Sequence, residues 1–112
     1  MKLYADYMKE RENIEVLYTD ECFLSYKLLD EETAFVFDIY SKPSVRGDGK
    51  MLELGKDFIS KVKKQNVKVI YGNTVTTTNG WRNSDRLLKK FGFIFSGKDP
   101  DDNVVNNYFL KI

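Results

Sequence analysis

The stretch SVRGDGKMLELGKDF, Ser44–Phe58, decides how this chain reads. Arg46, Gly47, Gly49 and Lys50 fall within five residues, and an apolar rhythm begins at once after them. Met51, Leu54, Gly55, Phe58, Ile59 and Val62 share one helical face, which places a helix over about Gly49–Lys64, closed by Asn66. A flexible, cationic loop therefore abuts the first turn of the most amphipathic helix. A helix N-terminus carries unpaired N–H groups and about half a positive elementary charge. Glycines let a ligand come close to that backbone. The junction has the makings of an anion site, with Lys42, Arg46 and Lys50 around it. On the loop alone, an ordinary strand-to-helix turn with solvated charges is the simpler reading.

Upstream, Leu3, Tyr4, Tyr7 and Met8 are spaced as a short amphipathic helix ending near Asn13. Three strands follow: IEVLYT (Ile14–Thr19), CFLSYKLL (Cys22–Leu29) and TAFVFDIYS (Thr33–Ser41). Their short turns, at Asp20-Glu21 and Asp30-Glu31-Glu32, imply an antiparallel meander. The third strand is apolar on both faces, which suits a central position. Downstream come a strand at Val67–Asn73, a polar segment at Thr74–Gly80 and a helix at Trp81–Phe91, with Gly92 placed to end it. FIFSG (Phe93–Gly97) and VVNNYFLKI (Val104–Ile112) close the chain as a hairpin. The fold class is α/β (α+β): a mixed, mostly antiparallel sheet flanked by helices, in the order α-β-β-β-α-β-α-β-β.

Composition removes several chemistries. The 112 residues suit one domain with one core, rich in aromatics from eight Phe and seven Tyr. Without His there is no His base, no Ser-His-Asp triad and no His-ligated metal, so no metal is expected. The lone Cys22 has no disulfide partner and reads as a buried strand residue. Basic and acidic residues nearly balance at a net +1, which speaks against a nucleic-acid footprint. No run is long and apolar enough for a membrane span or a signal peptide. An intracellular, cytoplasmic protein is expected, as a monomer or a homodimer through the terminal hairpin's edge.

Named phosphate motifs fail at the loop. A Walker loop needs Gly where Ser44 stands and a hydroxyl where Met51 stands. A dinucleotide fingerprint needs a third Gly and an earlier parallel strand. Arg46-Gly47-Asp48 spells the adhesion tripeptide, but three residues recur by chance.

The run Arg46-Gly47-Asp48-Gly49-Lys50-Met51, after DIYSKPSV, resembles the acyl-CoA-binding motif of the GNAT superfamily of N-acetyltransferases. That motif is Arg or Gln, two residues, Gly, one residue, then Gly or Ala, opening a helix after a central strand. The later VIYGN and NSDRLLKKFGF (Asn83–Phe93) resemble the family's next strand and second helix, so the likeness spans Ile14–Ile112, in the manner of compact phage-encoded members. It implies acetyl-CoA as cosubstrate, its pyrophosphate on the N–H groups of Arg46–Met51 and its pantetheine along Ile39, Tyr40 and Ser41 where the strands splay. Asn73, Asn79 and Asn83 are all candidates for the family's Asn, with Asn83 taken as cofactor-binding. Transfer would be direct, from acetyl-CoA to an amine on a small molecule or protein, within a ternary complex. The oxyanion would rest on backbone N–H groups near Tyr40.

Asp38 is the candidate base, because it interrupts AFVFDIY, where an unpaired buried carboxylate is costly. A structural Asp satisfied by a neighbour is the equal alternative. Tyr40 could orient substrate or serve as a core aromatic. Two positions depart from the family. Met51 replaces its last Gly or Ala, and Leu88 replaces the Tyr that protonates the departing thiolate, a task left to a group such as Tyr71 or to water. A relative that only binds CoA or a protein partner is the competing reading.

Overall fold

The computed structural model describes Met1–Ile112. In chain order the elements are α1 (Lys2–Glu12), β1 (Glu15–Tyr18), β2 (Cys22–Leu28), β3 (Thr33–Ser41), a 3-10 turn at Pro43–Val45, α2 (Lys50–Lys64), β4 (Val69–Val75), α3 (Trp81–Phe91), β5 (Ile94–Lys98) and β6 (Val105–Lys111). Local chemistry sets the boundaries. The Asp30 carboxylate accepts the N–H groups of Glu32 (2.8 Å) and Thr33 (2.9 Å), which turns β2 into β3. Asn13 and Asn66 take left-handed φ values of 55° and 74° just past α1 and α2.

The six strands form one sheet in the order β1-β2-β3-β4-β6-β5. Only β3 and β4 run parallel, joined by the crossover helix α2; every other pair is antiparallel. The terminal hairpin inserts β6 beside β4 and leaves β5 at the edge.

Both crossover-side helices lie on the same face. A Cβ on Gly55 of α2 would stand 2.5 Å from Cε1 of Phe91 in α3, so the helices meet where α2 lacks a side chain. Leu54, Phe58 and Val62 of α2 and Leu88 of α3 pack on Leu24, Tyr26, Ala34, Val36, Ile70 and Tyr108 of the sheet. Each large apolar side chain so buried contributes about 1.5–3 kcal/mol. Strand alternation turns Phe23, Phe35, Tyr71 and Phe109 to the opposite face. There α1 alone gives cover. It buries none of its own residues, but it lies over β1, where Val16 is buried, and sets Tyr4 edge-on to Phe23 at 6.4 Å. No helix is long and apolar enough to cross a membrane.

One irregularity shapes everything downstream. Along β2 and β3, Ser25 stands opposite Asp38 but Tyr26 opposite Val36, so Phe37 is an extra residue. Such a bulge bends and twists its strand. At the same point the pairing of β3 with β4 ends, having run only over Thr33–Val36 and Val69–Gly72. Beyond it β3 stays with β2 as far as Ser41, and β4 stays with β6 as far as Val75. A wedge opens between the two parallel strands.

Candidate functional site

On the helix face the wedge widens into an open cleft of about 360 Å³, between the head of α2 and the flank of α3. The loop ahead of α2 supplies one wall. Gly47 and Gly49 hold φ values of 90° and 88°, which an L side chain adopts only under strain, and nothing stands within 4 Å of where a Cβ would project. Gly47, Gly49, Met51 and Leu52 all line the cleft, and none of their N–H groups makes a hydrogen bond. Two of these are the orphan donors of the first helical turn. The Met51 side chain is only 5% exposed and belongs to the core, so it leaves its own amide open.

Three cationic residues line the same cleft: Arg46 from the loop, Arg86 and Lys90 from α3. No carboxylate lines the cleft. Free amides, a positive helix end and unopposed cations suit a phosphorylated ligand with at least two negative charges. The residues therefore fit the pyrophosphate of coenzyme A.

The strand edge supplies the second wall. The Lys42 N–H bonds to the Glu21 carbonyl at 2.8 Å. By the alternation of an antiparallel ladder, Tyr40 then spends its backbone groups on β2, while Ile39 and Ser41 turn theirs to the open edge. The Ser41 carbonyl accepts Nε–H of Arg46 at 3.1 Å, and that guanidinium lies 5.5 Å from the centre of the Tyr40 ring. Arg46 thus spans the mouth of the wedge.

The bulge sends Asp38 to the outer face. The run AFVFDIY implies a carboxylate buried at some cost, but Asp38 is exposed, and Ser25 is its partner. The Ser25 hydroxyl accepts the Asp38 N–H at 3.1 Å and donates to its Oδ2 at 3.4 Å. Tyr40 is 46% exposed on the same face, its ring 5.9 Å from that of Phe23, and so is not a core residue.

Beneath α3 lies a polar network the sequence reading did not find. The Tyr108 hydroxyl, buried on β6, donates to Oδ1 of Asp85 at 2.5 Å and lies 3.1 Å from the Thr74 hydroxyl. Burial pushes the Tyr108 phenol up, and the neighbouring Asp85 carboxylate adds to that. Burial alone would raise Asp85 too. The bond from Tyr108 and the ion pair with Lys89 outweigh it and hold Asp85 below the ordinary carboxylate value.

The cleft brings together Ser41, Arg46, Gly47, Gly49, Met51 and Asn83, all read from the sequence as cofactor-binding. Ile39, Tyr40, Asp48 and Lys50, also read as cofactor-binding, fall outside its lining. The Asp48 carboxylate accepts the Lys50 N–H at 3.1 Å, and the Lys50 ammonium reaches away to Glu21 at 2.7 Å. Tyr71 points to the outer face, opposite Leu88, so it is badly placed to replace the missing tyrosine. Leu52, Arg86 and Lys90 were missed. A signal for the last two existed, since Asn83, Arg86, Leu87 and Lys90 recur at helical spacing.

No family model and no curated protein matches the sequence. Solved structures do match the fold. PaiA N-acetyltransferase from Thermoplasma acidophilum, in complex with coenzyme A, is 17% identical with a TM-score of 0.76, over 99% of this chain and 70% of that one. Ard1 from Thermoplasma volcanium is 18% identical with a TM-score of 0.73, over 99% and 78%. A GNAT family acetyltransferase from Elizabethkingia anophelis with acetyl-CoA bound is 18% identical with a TM-score of 0.67, over 98% and 87%. This chain has the fold of the GNAT acetyltransferases.

Proposed function

We propose that this chain, acting as one domain, is an N-acetyltransferase that moves an acetyl group from acetyl-CoA to an amine by direct attack in a ternary complex. The observation that carries it is the set of four unbonded amides beside three cations, at the end of a wedge that leaves a strand edge open. The pyrophosphate would lie on the loop amides. The amide-rich pantetheine would take the backbone groups of Ile39 and Ser41, for which β4 is out of reach. The thioester then arrives at the wedge, with Asp38 and Tyr40 on its far side.

In the reaction, the acceptor nitrogen bonds to the thioester carbonyl carbon, the carbon–sulfur bond breaks, and sulfur leaves with the electron pair. Open-edge N–H groups of β3 stabilise the oxyanion. Asp38 takes the proton lost by the nitrogen. At the sulfur side stands Leu88, buried and apolar. An alkyl thiolate with a parent pKa of about 8.5 departs without assistance, but losing one acid group typically slows a reaction by about 10²–10⁴-fold. Leu88 also favours a second reading, a domain that binds CoA or a protein partner without turnover.

Thermal denaturation with acetyl-CoA separates the possibilities. At a hundred-fold excess over Kd the ligand adds about 2.7 kcal/mol, or roughly 10 °C for a domain of this size. That shift, with release of thiol over a panel of amines, supports the transferase. A shift without release supports a CoA-binding domain, and no shift rejects the transferase and leaves a domain that binds a protein partner.

A further inference from the structure

The outer face of the sheet is bare from β3 onward, and it is aromatic. Phe35, Tyr71 and Phe109 stand in one row across β3, β4 and β6. The bulge sets Phe37 beside them, its ring 5.0 Å from that of Phe35. Phe37 is 42% exposed and Tyr71 is 41% exposed. Next to Phe37, where the wedge begins, the exposed Asp38 carboxylate has the Ser25 hydroxyl as its hydrogen-bonding partner. Asp38 sets an anion against a continuous aromatic floor, while at the β6 side the Asp99 carboxylate is taken up by the Asn107 amide at 3.2 Å. Lys27, paired with Phe35 across β2 and β3, adds a cation to the same face.

We infer that the acceptor is a primary amine carried on a flat aromatic body. This rests on the transferase reading of the cleft. The amine nitrogen meets Asp38 at the wedge, and the ring lies on Phe37, Phe35 and Tyr71, where offset or edge contacts between rings are favourable. While still protonated, the nitrogen is drawn to the same ring faces. A polyamine fits poorly, because beside the rings its second ammonium meets Lys27 and Lys111, and the further carboxylate, Asp99, is already engaged by Asn107.

The test uses the whole chain with saturating acetyl-CoA, and compares 2-phenylethylamine, n-butylamine and spermidine by thiol release. Thiol release with 2-phenylethylamine is expected to show kcat/KM roughly tenfold or more above both others. Phe37→Ala and Tyr71→Ala, both at exposed positions, should raise its KM roughly tenfold while the acetyl-CoA thermal shift stays in place. Equal or better use of spermidine or butylamine, or an unchanged KM in both variants, overturns the inference and leaves the transferase reading standing. If the thermal shift appears but no amine is consumed, 2-phenylethylamine is titrated onto the CoA complex and followed by the ring resonances of Phe37 and Tyr71. Unmoved resonances overturn it as well. If acetyl-CoA gives no thermal shift, the transferase reading fails and this inference with it.

Discussion

At the scale of single residues, the cleft depends on Gly49 more than on any cation. It holds φ at 88° as the residue before α2, and its amide is one of the four free donors. Arg46, Arg86 and Lys90 share the electrostatic task, so losing one leaves two. Gly49→Val places a branched side chain in the left-handed region and over the donors. The backbone strain is expected to cost about 1–2 kcal/mol, which a domain of this size survives. The acetyl-CoA thermal shift should disappear while the far-UV circular dichroism of the variant stays like that of the parent. A retained shift would mean that the pyrophosphate does not use these amides.

At the scale of elements, α2 docks on the sheet through Phe58, whose ring lies 4.8 Å from that of Tyr26 in β2. The Tyr26 hydroxyl is buried without a hydrogen-bond partner. Burial, helped by Glu15, pushes its phenol up to about 12. The unfolded chain releases that proton near pH 10. With the folded value raised, the group's stabilisation is whole below pH 10 and drains away as pH climbs to about 12, a loss of roughly 1–3 kcal/mol. Other tyrosines titrate in the same range, so the readout is the difference between the parent and Tyr26→Phe. Urea midpoints at pH 7 should agree within about 1 kcal/mol, since the lost hydroxyl had no partner. At pH 11.5 the variant should be the more stable of the two.

The elements themselves were legible in the sequence. Alternation through CFLSYKLL gives way at Met51 to a three-and-four spacing, and Asn13, Asn66 and Gly92 mark the helix ends. The bulge was not legible. TAFVFDIYS reads as one unbroken strand, and nothing in it says that Phe37 is surplus; that depends on how β2 registers against it. For the same reason Asp38 reads as interior and emerges on the surface. The glycine-bearing turn into α2 was legible as a turn. Its partners on α3 were not, because a cation on an amphipathic helix ordinarily faces water, and only the docking of α3 beside α2 turns Arg86 and Lys90 to a shared cleft.

Taken as a whole molecule, the protein has a net charge of +1 and no histidine. Without histidine, no side chain has a parent pKa that puts its charge change between pH 5 and 8. The charge therefore stays within about one unit of zero from roughly pH 5.5 to 9. Low net charge combined with the bare aromatic face favours self-association. Precipitation by polyethylene glycol is expected to need nearly the same concentration anywhere in that range, and distinctly more below about pH 4.5, where carboxylates gain protons. A sharp minimum near neutrality would point instead to a specific titrating contact between molecules.

The surplus residue in β3 also has a genetic consequence. Leaving out Phe37 alone would bring Ser25–Asp38 and Tyr26–Val36 into continuous register without moving any other pair. The straightened strand could then zip onto β4, and the open strand edge would vanish with every charged and glycine position untouched. A single in-frame codon therefore separates a receptive sheet from a sealed one, and descent within such folds can switch ligand capture on or off by counting residues rather than changing them.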